Sequence, residues 1–533
     1  MPRCAGVSRS SLPRAALLAV VLLIYLPALG DSSSGTHPDE SYYLGISAEM
    51  DARGEWLTPT IDGRACWFKP PLLYWAERIA YGALGRGFLG GRLPAALCAV
   101  ALALLTGALA RRLHGPASEV PAALLVATTF GLAKFGRLAM MDAPMALAFA
   151  AAAFGAWRAA EEDHPPSLLW AGVGAGVSFM LKGPVGAVIV LLLAGGFLLA
   201  RRPGLLASRW TAGAFALGAA IGLPWYVASL LVHGRAFFQF FVVEQNLARF
   251  TEPWTLSGEA TLLVGFMVFL LPWTLLVLAQ LPALRRVRQD PAAMLCAIWI
   301  GAVLLVFTIP ALKWPHYGLT CAPAAVLLAV RAPPPRWARL ATAVALAVLA
   351  SVMLLPLRWP LPATAQAALV GAAAALAGGA ALVARARVAG SALAVGGALA
   401  LLLGVTVPAV NPPVIPAQAL AALTGRDLYV YGYVPGIFTL AAGRPVHRVE
   451  RGSELERALA SGGVVILDAR GLRGLDERTR SVAVPVARWE HIPGYLAAGT
   501  VLRSWREREP ALMFEPMLAV ELPGGSALGA LAR

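Results

Sequence analysis

The chain has 533 residues, 58% of them hydrophobic and only 14% charged, with a net charge of +15 at pH 7 and a mean hydropathy of +0.68. An ordinary soluble domain carries about a quarter charged residues, whereas uncharged apolar blocks here recur at lengths that match a bilayer span, which marks a polytopic α-helical membrane protein. The basic residues fall in short clusters between those blocks, so they report topology, and a nucleic-acid partner is excluded.

About thirteen spans follow from block length. They run over 15–30, 89–110, 117–134, 139–157, 167–181, 184–200, 211–232, 259–281, 292–311, 318–330, 339–356, 364–383 and 390–409. With the N-terminus inside (Arg3, Arg9, Arg14), alternate loops should be basic. They are: Arg111 and Arg112; Arg158; Arg201, Arg202 and Arg209; Arg285, Arg286 and Arg288; Arg331, Arg336 and Arg339; Arg385 and Arg387. The first block also fits a cleaved signal peptide, which would leave the later topology unchanged. The five cysteines, Cys4, Cys66, Cys98, Cys296 and Cys321, are scattered singly and form neither a disulfide framework nor a metal-type spacing.

Residues 1–411 form the membrane domain, whose first outer loop, 31–88, carries two helical patterns. In "DESYYLGISAEM" the apolar residues Tyr43, Ile46 and Met50 recur at helical spacing, and in "PPLLYWAERIAYGALG" Leu72, Ala76, Ile79 and Ala83 form one stripe. Pro70 and Pro71 suit the entry to the second, where no amide partner is lost. Both read as amphipathic helices lying on the outer membrane surface. Near the end of the chain, the Pro-rich stretch 412–424 is a linker and 425–533 a small soluble α/β domain, placed outside by the same parity. Its strand signals are "RDLYVYGYV", "GGVVILDA" and "MLAVEL", and "SELERALASG" signals a helix closed by glycine.

Ionisable residues collect at the outer ends of the spans. Asp39, Glu40 and Lys69 come from the first loop; Lys134, Arg137 and Asp142 from "AKFGRLAMMDAPM"; Lys182 from "FMLKGPVG"; Glu244 and Arg249 from "VVEQNLARF"; Lys313, His316 and Tyr317 from "IPALKWPHYGLT". An ionisable group at the hydrocarbon boundary is costly unless it is paired or faces a water-filled cavity. Taken singly, each has a plainer reading. Asp39 and Glu40 match a helix N-terminus, Lys134 and Lys182 can snorkel, Asp142 fits a turn, and His316 beside Tyr317 fits packing. Taken together they describe one chemistry. Lysine and arginine meet a phosphate, and a carboxylate beside them takes a proton from an attacking group, as in transfer from a phosphate-linked lipid carrier.

"HPDESYYLGISAEM", "GEWLTPTIDGRACWFKPPLLYWAERIAYGALG", "GRLAMMDAPMALA", "FMLKGPVG", "VVEQNLARF" and "KWPHYGLT", in this order, resemble the GT-C glycosyltransferases of the protein mannosyltransferase and lipid A aminoarabinose transferase group. The resemblance covers residues 10–330 by motif and the remainder only in layout. It implies inverting transfer of a sugar from a polyprenyl-phosphate donor to a lipid or glycan acceptor on the outer face of a bacterial cytoplasmic membrane. By the resemblance, Asp39 is the catalytic carboxylate, supported by Glu40. Lys69 and Arg249 bind the donor phosphate, helped by Lys182 or Lys313, and Asp142 matches a second outer-loop acid. Arg137, Glu244, His316 and Tyr317 complete the candidates. No cofactor is indicated. The divalent metal of the aminoarabinose branch is doubtful, because Phe68 and Gln245 stand where that branch has a glutamate and a histidine, and neither offers a strong ligand. Tyr42 likewise replaces a basic residue. The competing reading is a transporter or flippase of a lipid-linked intermediate, which should show internal repeats and ionisable residues near the midplane.

Overall fold

The computed structural model describes residues 14–33, 37–247, 256–309, 314–433, 435–450, 452–475, 477–492, 498–507 and 509–522. The first half contains α1 (Arg14–Tyr25), α2 (Pro38–Ala52), the short antiparallel strands β1 (Thr60–Ile61) and β2 (Arg64–Ala65), α3 (Leu72–Leu84), α4 (Phe88–His114), α5 (Glu119–Ala127), α6 (Phe130–Phe135), α7 (Asp142–Glu161) and α8 (Leu169–Lys182). Eight helices among the described residues are long and apolar enough to cross a membrane: α4, α7, Pro184–Arg201, Pro224–Leu247, Pro291–Thr308, Arg336–Arg358, Ala363–Ala384 and Val388–Val410.

A helix stands in each expected span, but several are shorter than a bilayer requires. The block 117–134 is divided into α5 and α6, with Thr129 Oγ1 capping the second through the Leu132 amide at 3.4 Å. The block 211–232 breaks before Pro224, and Ala322–Ala329 has only 8 residues. Block length alone could not register these interruptions, because a short apolar helix buried in protein has the same composition as a lipid-facing one.

Both ends of the bundle are polar, each in its own way. At one end lie ion pairs between residues of the basic loops: Arg111–Glu119 at 3.0 Å, Arg201–Glu161 at 2.7 Å, Arg202–Asp163 at 2.8 Å, and the pair Arg112–Glu162. Such exposed pairs contribute little stability. What they do mark is a surface, since α7 runs its 20 residues, about 30 Å of rise, from Asp142 to this belt.

The C-terminal domain, the outer domain of the charge-parity expectation, is a five-stranded mixed sheet of order β4-β3-β5-β7-β6, formed by β3 (Leu428–Tyr431), β4 (Val446–Val449), β5 (Val464–Asp468), β6 (Val484–His491) and β7 (Glu515–Glu521). The anticipated strands are β3, β5 and β7, and the anticipated helix spans Gly452–Ala460. The segment between the membrane domain and this sheet is no free linker. It holds a helix, Ala417–Ala422, and its Val414 amide bonds to the Ser32 carbonyl at 2.8 Å. Val414, Leu428, Val430 and Phe438 share one apolar cluster with Leu44, Tyr81 and Phe88 of the first loop and α4.

That shared core changes the reading of the two loop helices. On α2, Tyr43, Ile46 and Met50 are buried as expected, but so are Ser41, Gly45 and Ala48 on the far side. The outer domain covers that far side, so α2 does not lie on a lipid surface. On α3 the buried face is Leu73, Tyr74, Glu77 and Tyr81, whereas Ile79 of the apolar stripe is 67% exposed. Only α3 keeps an apolar face that lipid can cover.

The close approach of α2 to the helix Gly436–Ala442 rests on two glycines. A methyl group at Gly436 would overlap the Ser41 carbonyl, and one at Gly45 would stand 3.0 Å from the Gly436 Cα. The Ser41 hydroxyl accepts from the Ile437 amide at 3.3 Å. Gly436→Ala should therefore cost about 1–3 kcal/mol through overpacking. Faster hydrogen exchange in 38–52 should accompany a lower melting temperature; unchanged exchange there would show that the joint does not hold α2.

Candidate active site

Pro38 at the first helical position and His37 before it start α2. His37 Nδ1 accepts from the Asp39 amide at 3.2 Å, which makes a histidine, not either acid, the capping group. Its ring lies 5.3 Å from that of His316 and 5.7 Å from that of Phe135. Burial holds the His37 imidazole below its ordinary value, which suits a nitrogen that must accept, and burial followed by the Lys182 charge pushes His316 down to about 3.

Asp39, the next residue but one, lines a cavity of about 240 Å³. Around it stand Tyr42 and Tyr43 of α2, Lys69, Tyr74, Asp142, Lys182, His316 and Tyr317. Lys69 enters from the turn before α3, held by the two prolines. Asp142 opens α7, where a carboxylate matches the helix dipole; it is 2% exposed and its Oδ1 makes no hydrogen bond. Lys182 closes α8, because Gly183 at φ +76° can turn the chain where a residue with a side chain would be strained. The ammonium lies 3.8 Å from the centre of the Tyr317 ring, a cation–π contact that aims it at the cavity. Two acids and two lysines, drawn from the first loop, α7 and α8, thus share one small space.

Five anticipated residues are elsewhere or outside the described residues. Arg137 is a structural clamp. Its guanidinium donates to the carbonyls of Ile24 at 3.1 Å, Tyr25 at 2.8 Å and Leu403 at 3.3 Å, and to that of Pro27, taking up carbonyls left over at the end of α1. Glu244 is exposed on the π-helical stretch Phe238–Leu247 and does not line the cavity. Arg249 and Lys313 lie outside the described residues. Glu40, expected to support Asp39, is instead fully buried and paired with Arg92: Arg92 Nε donates to Oε1 at 2.8 Å and Nη2 to Oε2 at 3.3 Å. The same Oε1 accepts from the Ala139 amide at 2.9 Å, and Arg92 Nη1 donates to the carbonyls of Leu29 and Asp31.

Sequence reading passed over Arg92, although a lone arginine near the start of an apolar run is itself a signal that it has a partner. Tyr74, Trp314 and His37 were missed because nothing local distinguishes them from ordinary packing residues.

The residues present do not fit a divalent metal beside Lys69. The Phe68 ring carries no donor and sits 5.4 Å from Phe240 and 6.2 Å from Tyr42. Among the described residues no group of three or more His, Cys, Asp and Glu side chains is placed to share an ion.

The dolichyl-phosphate-mannose-protein mannosyltransferase family model matches residues 68–227. An undecaprenyl phosphate-α-4-amino-4-deoxy-L-arabinose arabinosyl transferase of Edwardsiella ictaluri is 31% identical over 333 residues, covering 58% of each chain. A protein of the same description from Pseudomonas fluorescens is 30% identical over 344 residues, covering 61% of this chain and 58% of its own. The chain thus matches less than two thirds of the length of these relatives. Two solved structures of ArnT from Cupriavidus metallidurans, apo and bound to undecaprenyl phosphate, align with TM-scores of 0.73 and 0.71 at 19% identity, covering 95% of this chain and 97% of theirs. The fold is that of these ArnT structures, and the chain is similar in sequence to the arabinosyl transferases over part of their length.

The site gives two predictions. Removing one partner of a buried ion pair leaves the other charge stranded, at a cost of about 3–5 kcal/mol. Arg92→Ala should therefore lower the melting temperature far more than Asp39→Ala, and equal effects would refute the structural role of the pair. The second concerns acid. An unfolded histidine titrates near about 6.5, and both His37 and His316 are depressed below that by folding. Their contribution to stability is complete above about pH 6.5 and is lost as pH falls below it. His37→Asn, which retains a capping group, should flatten the fall in melting temperature between pH 6.5 and 5; an unaltered slope would exclude His37 as its source.

Proposed function

We propose that the chain transfers a glycosyl group from a polyprenyl-phosphate carrier to an acceptor of the bacterial cell envelope, at the outer face of the cytoplasmic membrane. The observation that carries this reading is the cavity in which Asp39 and Asp142 face Lys69 and Lys182. A second feature supports the lipid carrier. An apolar groove of about 540 Å³, with Leu72, Leu73, Pro144, Val177 and Leu181 in its wall, includes residues close in sequence to Lys69, Asp142 and Lys182. A phosphate in the cavity could thus have its prenyl chain in the groove. The undecaprenyl phosphate-bound structure of the same fold and the donor in the relatives' names support the same carrier.

The reaction is a single displacement. An acceptor hydroxyl oxygen bonds to the anomeric carbon from the face opposite the phosphate, its proton passes to Asp39, and the bond from anomeric carbon to phosphate oxygen breaks. Polyprenyl phosphate leaves with the bonding electrons, and the configuration inverts. Lys69 and Lys182 stabilise the charge that develops on the leaving phosphate, and the resemblance adds Arg249 and Lys313 to them. In a site walled by tyrosines and tryptophan this is the larger contribution, because preorganised charges act more strongly where water is excluded. Asp142, with a free buried oxygen, is suited to hold a sugar hydroxyl. A lipid A or other envelope glycan acceptor is favoured over protein, by analogy with the relatives.

Mass spectrometry of envelope glycolipids and glycoproteins from a deletion strain tests the reading. Wild type should restore a species one sugar heavier than the mutant's, and Asp39→Asn should fail to do so, with turnover down by about 10²–10⁴-fold, the usual worth of a positioned base, while lipid binding survives. Restoration by both forms, or a lipid-linked precursor that merely changes leaflet, would favour a transporter.

A further inference from the structure

A second polar cavity, of about 620 Å³, lies between the β1–β2 hairpin and the outer domain. We propose that it is a saccharide subsite that binds the sugar portion of the acceptor and feeds it to the catalytic cavity. The inference rests on the glycosyl-transfer reading above.

Its lining differs in kind from that of the grooves within the membrane. The hairpin contributes Asp62 and Arg64; β3 and β4 contribute Tyr429, His447 and Arg448; the chain beyond contributes Glu450, Glu454 and Arg457. The Tyr429 and His447 rings stand 5.7 Å apart, offering faces on which the C–H side of a pyranose can pack. Three cationic and three acidic side chains surround them. A wall carrying both signs does not suit a polyanion or a lipid tail, whereas a polyol, each hydroxyl of which both donates and accepts, can use carboxylates and guanidinium groups alike.

Two observations tie the cavity to the chemistry. The Arg448 guanidinium reaches the Tyr42 hydroxyl at 3.4 Å, and Tyr42 also lines the cavity around Asp39. The buried Nε of the same arginine makes no hydrogen bond, although its Nη1 pairs with Glu450 at 3.0 Å. A donor shielded from water and left unused costs free energy unless a ligand engages it. The hairpin side is fixed by His447 Nδ1 against Asp62 Oδ1 at 2.9 Å, and by the Gly63 amide donating to Glu49 of α2 at 2.9 Å. Subsite, hairpin and the helix that carries Asp39 are therefore one connected unit.

The test uses full-length protein in detergent and, as probe, the lipid-free oligosaccharide released from the host envelope by mild acid. Binding is read by saturation-transfer NMR, which needs no turnover. Arg64 and Arg457 are surface residues of the cavity, so Arg64→Ala and Arg457→Ala should fold. Each should weaken oligosaccharide binding by about tenfold, the scale of one lost charge-assisted hydrogen-bond pair. In the transfer assay each should raise the acceptor KM by a similar factor, with the donor KM unmoved and kcat changed less than twofold. Wild-type binding that both variants lose would uphold the subsite even if no sugar transfer were found, which separates its fate from that of the catalytic reading. Wild-type binding retained by both variants, or no wild-type binding beside active transfer, would overturn it.

Discussion

The buried pair Arg92–Glu40 is the constraint on which the site's geometry depends. An ion pair taken out of water forfeits several kcal/mol of hydration per charge and recovers it only with good geometry and satisfied remaining bonds. Here the fork is bidentate, and the spare capacity on both sides is used by the Ala139 amide and by the carbonyls of Leu29 and Asp31. Those partners are no accident of packing. Leu29 and Asp31 follow α1, Glu40 begins α2, Arg92 begins α4, and Ala139 precedes α7. One charge pair thus fixes the relative positions of the four segments that deliver Asp39 and Asp142 to a common cavity.

The proposed reaction would bring together reactants of opposite solubility. The three cavities divide that labour by their chemistry. The groove with Leu72, Pro144 and Leu181 in its wall offers almost nothing to hydrogen-bond with, so it suits a hydrocarbon chain and little else. The cavity against the C-terminal domain is lined by charge of both signs. Between them the cavity of Asp39, Lys69, Asp142 and Lys182 is small and rimmed by tyrosines. Small size matters here because a charge stabilises a developing phosphate better when water cannot compete for either group.

Much of this was readable from residue order. The mixture of acids and cations at one end of the spans, and the basic loops at the other, followed from charge placement. The structure brings Asp39, Lys69, Asp142, Lys182, His316 and Tyr317 into one lining. What composition could not separate was a cation that faces a cavity from one that serves the backbone. Arg137 and Lys182 stand in similar apolar contexts, yet Arg137 is spent on four carbonyls, because an arginine has enough donors to cap several strands of chain at once. Nor could one face of α2 be known to meet a helix so distant in sequence, where Ser41 accepts from Ile437 with |i−j| of 396. Local periodicity carries no information about such a partner. It predicted lipid where the chain has placed its own domain.

That misreading has a functional edge. If α2 lay on the membrane, Asp39 would be held only by the helices below it and could move with the lipid surface. Sandwiched between α3 and the helix Gly436–Ala442, and capped by a histidine whose imidazole burial holds below its ordinary value, it is held from both sides. A general base works through its position to within fractions of an ångström, and a loop helix in a fluid interface cannot supply that. The C-terminal domain, none of whose described residues lines the Asp39 cavity, would under the proposed function act on the chemistry by holding the first loop in place. The extensive apolar core it shares with that loop is what this role requires.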